Sequence, residues 1–205
     1  AKQNKKPRKK LPPVAAASAV AALLSNTQTK LLASIRAVSP PDTTKLDWNT
    51  ARSLRLPFWL RSLPTLRLLC EEIAQTIFRR SKNIMECALF YVALRKQKTT
   101  LLNLARADPT DWGTKLVGFL QNHDFASQKG RKAAEKNAYS LLRKRHYAPA
   151  AAFFLLAEPP MLQTALEVII GQMEDLDLAF FIARLVEGGE PNKLTMGGGG
   201  GGGMM

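Results

Sequence analysis

Few side chains in this chain stand at spacings that chemistry would use. Asp108 and Asp111 flank the pair Pro109-Thr110, and two carboxylates this close could divide acid and base roles if a proton donor or metal ligand stood beside them. None does in the sequence. The same residues read as a helix start: Asp108 accepting from free N–H groups, Pro109 pre-set for the first helical position, Asp111 near the positive helix end. His123 and His146 lie 23 residues apart without a cysteine or carboxylate at ligand spacing, which argues against zinc. Cys70 and Cys87, 17 apart and in no Cys-x-x-Cys pair, each fall on the apolar stripe of a predicted helix. They are expected to be buried, reduced thiols, as in a cytosolic protein. The run Gly197–Gly203 follows no strand and precedes only Met204 and Met205, so it does not read as a phosphate loop. No G-x-S-x-G elbow occurs either. Together these readings argue against an enzyme, and neither a cofactor nor a metal site is expected.

What remains is charge. The 205-residue chain carries a formal charge of +14, a value that invites a nucleic-acid reading. Its distribution weakens that reading. Lys2, Lys5, Lys6, Arg8, Lys9 and Lys10 crowd the first ten positions, whereas from His146 to Glu190 seven acids face Arg184 alone. Between these ends, Lys129, Lys132, Lys136 and Arg143 fall within an arc of about 60° at roughly 100° per residue, opposite Ala134, Ala138, Leu141 and Leu142. Two readings of this basic stripe stay open: an ordinary solvated helix face, or a docking stripe for an acidic partner or for anionic headgroups.

The elements that would hold such a stripe announce themselves by repetition. Ala138 matches Ala165, Leu141-Leu142 match Val168-Ile169, and Ala152-Phe153-Phe154-Leu155 match Ala179-Phe180-Phe181-Ile182, all 27 residues apart. A period of this length is the mark of stacked helical hairpins. In each copy the second helix, AAAFFLLA or LAFFIARL, is apolar nearly all round and has to be covered on both sides. The sequence therefore predicts an all-α fold, an α-solenoid-like stack of antiparallel helix hairpins. Helices are expected at 64–80, 84–97, 127–144, 148–157, 162–172 and 175–187, with shorter ones over 99–105 and after Asp108. Ser127 is expected to cap the helix that carries the stripe. Trp48, Phe58 and Trp59 are expected to form a hydrophobic cap over the first long helix.

Three stretches follow. Residues 1–44 are a basic, Ala- and Pro-rich arm or linker, disordered at its start and partly helical over 14–32. Residues 45–190 are the helical repeat domain, and 191–205 are a Gly-rich flexible tail. The start at Ala1, the Gly-Met end and the lack of a signal peptide suggest an internal piece of a longer protein. The longest apolar run, near Ala148–Ala157, is far short of the ~20 residues a spanning helix needs.

KNAYSLLRKRHYAPAAAFFLLA followed by LAFFIARLVEG resembles the C-terminal helical region of the DmX-like (rabconnectin α) proteins. LDWNTARSLRLPFWL, CALFYVALRK and LVGFLQNHDF carry the resemblance upstream, so it spans about Leu46 to Gly188. Pro57, and the turn Glu158-Pro159-Pro160-Met161, depart from the family's habit, both in connections. The resemblance implies the large subunit of a RAVE-type complex that assembles the vacuolar proton pump. It implies a non-catalytic scaffold whose partners are other subunits of that complex and the cytosolic sector of the ATPase. It also implies a cytoplasmic location, peripheral on endomembranes. The alternative is a nucleic-acid-binding helical-repeat module using the basic arm and stripe. Helical RNA readers, however, repeat polar or aromatic base-contacting residues, and the residues repeated here are apolar.

Overall fold

The computed structural model describes residues 46–95 and 98–188, together with 24, 25, 28–30, 32 and 33. The arm over 1–13 and the tail over 191–205 expected from the sequence lie outside the described residues. Among the described residues ten helices follow one another from Trp48: α1 (Trp48–Ser53), α2 (Leu56–Trp59), α3 (Leu63–Ser81), α4 (Ile84–Ala93), α5 (Lys98–Arg106), α6 (Asp111–Asn122), α7 (Gln128–Arg143), α8 (Tyr147–Leu156), α9 (Leu162–Gln172) and α10 (Leu176–Glu187). No strand occurs among the described residues. Of the expected helix over 14–32, the described Leu24, Thr29, Lys30 and Leu32 are helical, as is Ala33 just beyond it. Its docking point is Gln28, fully buried, whose side-chain amide donates to the Trp59 carbonyl at 2.8 Å and accepts from the Arg61 N–H.

The helices start where polar side chains satisfy their first free N–H groups. Asp47 accepts from Thr50 at 2.8 Å, Ser62 from Thr65, and Asn83 from Met85 at 2.9 Å. Ser127 caps α7 through the Gly130 N–H at 3.0 Å, as its position predicts. Pro64 sits in the first turn of α3, where its missing N–H costs nothing. One expectation is corrected here. Asp108 does not cap the helix that follows it, for α6 begins at Asp111 with Thr110 as its N-cap. Its buried carboxylate instead accepts from the Ile84 N–H at 2.7 Å, at the start of α4, and from Thr110 N–H at 2.7 Å. One carboxylate thus ties the first turn of α4 to the α5–α6 connection, a role its own neighbours in sequence do not reveal.

Two helices occupy the centre. Nine of the ten α4 residues are buried, all but Glu86, and α8 buries Ala150 to Leu155 without interruption. They pack on each other; α4 is further covered by α3, α5 and α10, and α8 by α7 and α9. Burial follows the 27-residue repeat closely. Ala138 and Ala165, Leu141 and Val168, Ala152 and Ala179, Phe154 and Phe181, and Leu155 and Ile182 are buried pairwise. The chain also closes on itself, because α10 packs on α2, α3 and α4. That closure redirects the N-terminal aromatics, which do not form one cap over α3. Trp48 stacks on Phe181 at 5.5 Å and leans on Phe90 at 6.0 Å, while Phe58 stacks on Phe180 at 4.4 Å.

Phe154 lies at the heart of this arrangement, fully buried on α8 and met edge-on by Tyr139 at 5.2 Å. Phe154→Ala is expected to cost about 3–5 kcal/mol, the range for emptying a buried aromatic site. Urea melts of the variant check this, and a loss below about 1 kcal/mol would show a helix that is not central.

Candidate partner-binding surface

Helix α7 presents one face to α8 and the other to solvent. Its buried face is Ala134, Ala138 and Leu141, and small residues there let the two axes approach. The first turn is held still tighter. A Cβ on Gly130 would lie 1.8 Å from the Asp124 carbonyl oxygen, so only glycine permits the contact between α7 and the preceding loop. On the opposite face the structure places Lys129, Lys132, Lys136 and Arg143, all exposed. None of the four forms an ion pair among the described residues. Lys144 and Arg145, just past the last turn, are exposed as well, so the basic surface continues beyond the end of α7. There it meets a groove of about 680 Å³ between α7 and α9, lined by Tyr139, Arg143, Arg145, Tyr147 and Glu167. Cations set on a rigid helix beside tyrosine rings suit an anionic surface. They offer no nucleophile or proton relay.

The residues with chemical potential are placed elsewhere and are occupied by structure. Cys70 and Cys87 are both buried thiols, as the stripe positions predict. Burial pushes the Cys87 thiol up to about 12, so it is neither a nucleophile nor a ligand at neutral pH. A ring nitrogen of His123 sits 3.0 Å from the Phe119 carbonyl, closing the end of α6, and His146 meets Trp112 edge-on at 5.6 Å. His146 and Trp112 border a cleft of about 540 Å³ whose walls include Trp48, Phe90 and Met173. No group of three or more His, Cys, Asp or Glu among the described residues could hold a metal.

One polar constellation escapes a reading of the sequence. Asp175 caps α10 through the Leu178 N–H at 3.0 Å and accepts from the Trp48 indole at 3.0 Å and from Arg52 at 3.3 Å. Asp177 pairs with Arg55 at 2.6 Å and Arg52 at 3.5 Å. The partners are more than 120 residues apart. The only hint in sequence is that the acid-rich end of the chain has a basic counterpart near its start.

Helical hairpins stacked around apolar inner helices, with the polar groups at caps and on outer faces, define an all-α helical-repeat protein. Within that class the chain belongs to the family described as RAVE protein 1 C terminal, which it matches over residues 2–196. It is 38% identical over 140 residues to DmX-like protein 1 of Homo sapiens, covering 68% of this chain and 4% of that protein. It is 36% identical over 145 residues to the Regulator of V-ATPase in vacuolar membrane protein 1 of Saccharomyces cerevisiae, covering 69% of this chain and 10% of that one. The Schizosaccharomyces pombe protein of the same name is 30% identical over 145 residues. The chain thus spans about a tenth or less of the length of these relatives.

Two measurements test the structural roles assigned to Asp108 and Cys87. Asp108→Ala leaves two N–H groups without their acceptor, and a loss of about 2–3 kcal/mol in urea melts is expected; a loss within about 0.5 kcal/mol would place those groups in contact with water. Because the folded-state pKa of Cys87 is raised, its contribution is fully present below the ordinary thiol value. It declines as pH rises from there through about 12, since the unfolded chain gives up the proton first. The alkaline loss of stability should therefore be smaller in Cys87→Ala, and identical alkaline slopes in the two proteins would exclude the effect.

Proposed function

We propose that this chain is a non-catalytic interaction scaffold, a segment of a DmX-like regulator that promotes assembly of the vacuolar proton-pumping ATPase. Its partners in this reading are other subunits of a RAVE-type complex and the cytosolic sector of the ATPase. Its place is the cytoplasm, peripheral on endomembranes such as the vacuole or endosome through those partners. The names of the relatives, regulators of V-ATPase in the vacuolar membrane, support the biological setting. Among the described residues no helix is long and apolar enough to cross a membrane.

The observation that carries the surface assignment is the α7 face. Lys129, Lys132, Lys136 and Arg143 are exposed together on a helix whose other side is locked to α8. Exposed charges of this kind act mainly on the rate of encounter with an oppositely charged surface and less on the stability of the bound state. Their partner is accordingly an acidic protein surface, met by a preformed basic one.

Neutralising all four residues to Gln tests this. The variant is expected to keep the unfolding midpoint of the parent and to slow association with the isolated cytosolic ATPase sector about tenfold at low salt, with the difference shrinking as salt screens it. RNA is the discriminating competitor. Micromolar or tighter binding of single-stranded RNA at physiological salt, lost in the variant together with a salt slope of roughly 0.7–0.9 per phosphate contact, would replace the scaffold reading by a nucleic-acid module. Unchanged association with both would leave the stripe as a solvated helix face.

A further inference from the structure

The 27-residue repeat breaks at one face. In the first copy, Phe153 of α8 is 7% exposed, because Phe119 of the 12-residue helix α6 lies over it at 5.2 Å, backed by Phe125 at 5.5 Å from Phe119. The matched residue on α10, Phe180, is 38% exposed. Its cover is Phe58 of the four-residue helix α2, parallel to it at 4.4 Å and itself 47% exposed. One turn earlier on the same side of α10, Leu176 is 66% exposed, where its counterpart Pro149 is half-buried on α8. One turn later stands Arg184, whose counterpart in the first copy is the buried Ala157, just past the end of α8. Two equivalent helices thus carry equivalent aromatic rings, one covered by a ring from a 12-residue helix and the other by a ring from a four-residue one.

The charges around the open face complete its description. Asp175 and Asp177 are matched by Arg52 and Arg55. Arg184 reaches over Phe180 at 5.7 Å and donates to the carbonyls of Pro57 and Arg61, with no carboxylate partner among the described residues. Arg61 is exposed beside it and likewise without a carboxylate partner among the described residues, and the exposed acids at the two ends of α10 are Glu174, just before its start, and Glu187. Aromatic rings flanked by arginines are the composition of energetic centres in protein interfaces.

We propose that the α2–α10 face is a docking surface for an amphipathic helix of a partner protein, whose apolar side covers Phe58, Phe180 and Leu176 as Phe119 of α6 covers Phe153, and whose acidic flank meets Arg61 and Arg184. The repeat supplies the shape of the occupant, a helix bearing a large apolar residue, and the unmatched arginines supply its charge. The mode is that of a helix laid in an apolar groove. It is a second surface, separate from the α7 stripe, and does not depend on what the stripe binds.

The test uses the whole 205-residue chain with the four α7 charges neutralised, so that capture by the stripe is removed. The probe is a fluorescein-labelled amphipathic peptide of about 20 residues, with Leu and Phe on one face and Glu on the other. Saturable anisotropy binding below about 100 µM is expected, weakened at least about tenfold by Leu176→Glu and by Phe180→Ala, without a change in the unfolding midpoint for Leu176→Glu. Ile170→Glu, at an exposed apolar residue of α9, should leave binding unchanged, and the same peptide with Lys for Glu should bind less tightly. Absence of saturable binding would overturn the proposal, as would equal binding by the Leu176→Glu chain. Sedimentation showing a dimer of the chain that Leu176→Glu dissolves would also overturn it, by making a second copy the occupant.

Discussion

A helix with no polar face cannot end at water, and this fold contains two of them in contact. α4 buries nine of its ten side chains, and α8 buries six of ten with the other four half-buried, so each must be covered on nearly every side. The other helices are placed by that demand. The three alanines at 150–152 on α8 remove the side-chain bulk that would hold a neighbour away, and α8 takes three partners in α4, α7 and α9. With apolar burial contributing roughly 1.5–3 kcal/mol for each large side chain, the phenylalanines and leucines of these two helices outweigh any polar interaction at the periphery. Polar groups could then be confined to helix starts, where Asn83, Ser127 and Asp175 are found.

Closure of the chain shows the same ranking of forces. The Arg52 and Arg55 guanidinia that meet Asp175 and Asp177 are 46% and 62% exposed, and pairs so open to water are worth about 0.2–1 kcal/mol each. Such a clasp cannot by itself hold α10 against the start of the chain. The stack of Trp48 on Phe181, with Phe90 alongside, removes large aromatic areas from water and supplies the attraction. The clasp fixes register instead. The Asp175 carboxylate fits only when the Leu178 N–H, the Trp48 indole and Arg52 converge on it, and a slip of one helical turn would leave that largely buried group without its donors.

These separations decide what could be read from the sequence. Most helix boundaries, the Ser127 cap, the burial of Phe154 and Phe181 and the thiol environments are local or periodic, so spacing revealed them within a residue or two; the exception is α4, expected to run to 97, which stops at Ala93 just before the positive φ of Arg95. Membership of the DmX-like group was legible for the related reason that whole blocks stand in order. The roles of Asp108 and of the Asp175–Asp177 clasp were not. Each depends on a partner 24 or more than 120 residues away, and capping reads identically whichever helix is capped. Trp48 and Phe58 were assigned to one cluster because they are close in sequence, whereas closure by α10 draws them to Phe181 and Phe180. Periodicity also misjudged Phe180, since a repeat states which residues are equivalent and not whether an equivalent neighbour exists.

The two surfaces differ in the physics they can supply to an assembly. Cations on α7 stand in water, attract at a distance of about a Debye length, and lose most of that attraction to salt. In the proposed function they would bring an acidic partner near without choosing among acidic partners. The rings at Phe58 and Phe180 act only on contact, but a ring desolvated there gains what water cannot offer it, and shape decides whether that happens. If the proposed scaffold role holds, the two surfaces would separate two functions: capture that responds to ionic conditions on one helix, and recognition that depends on fit on another. Because α7 and α10 are joined through the same apolar helices, α8 and α4, the distance between the two surfaces is set by the core and not by flexible connections. A partner long enough to engage both would therefore meet them at a fixed spacing, which converts two individually modest contacts into one selective one.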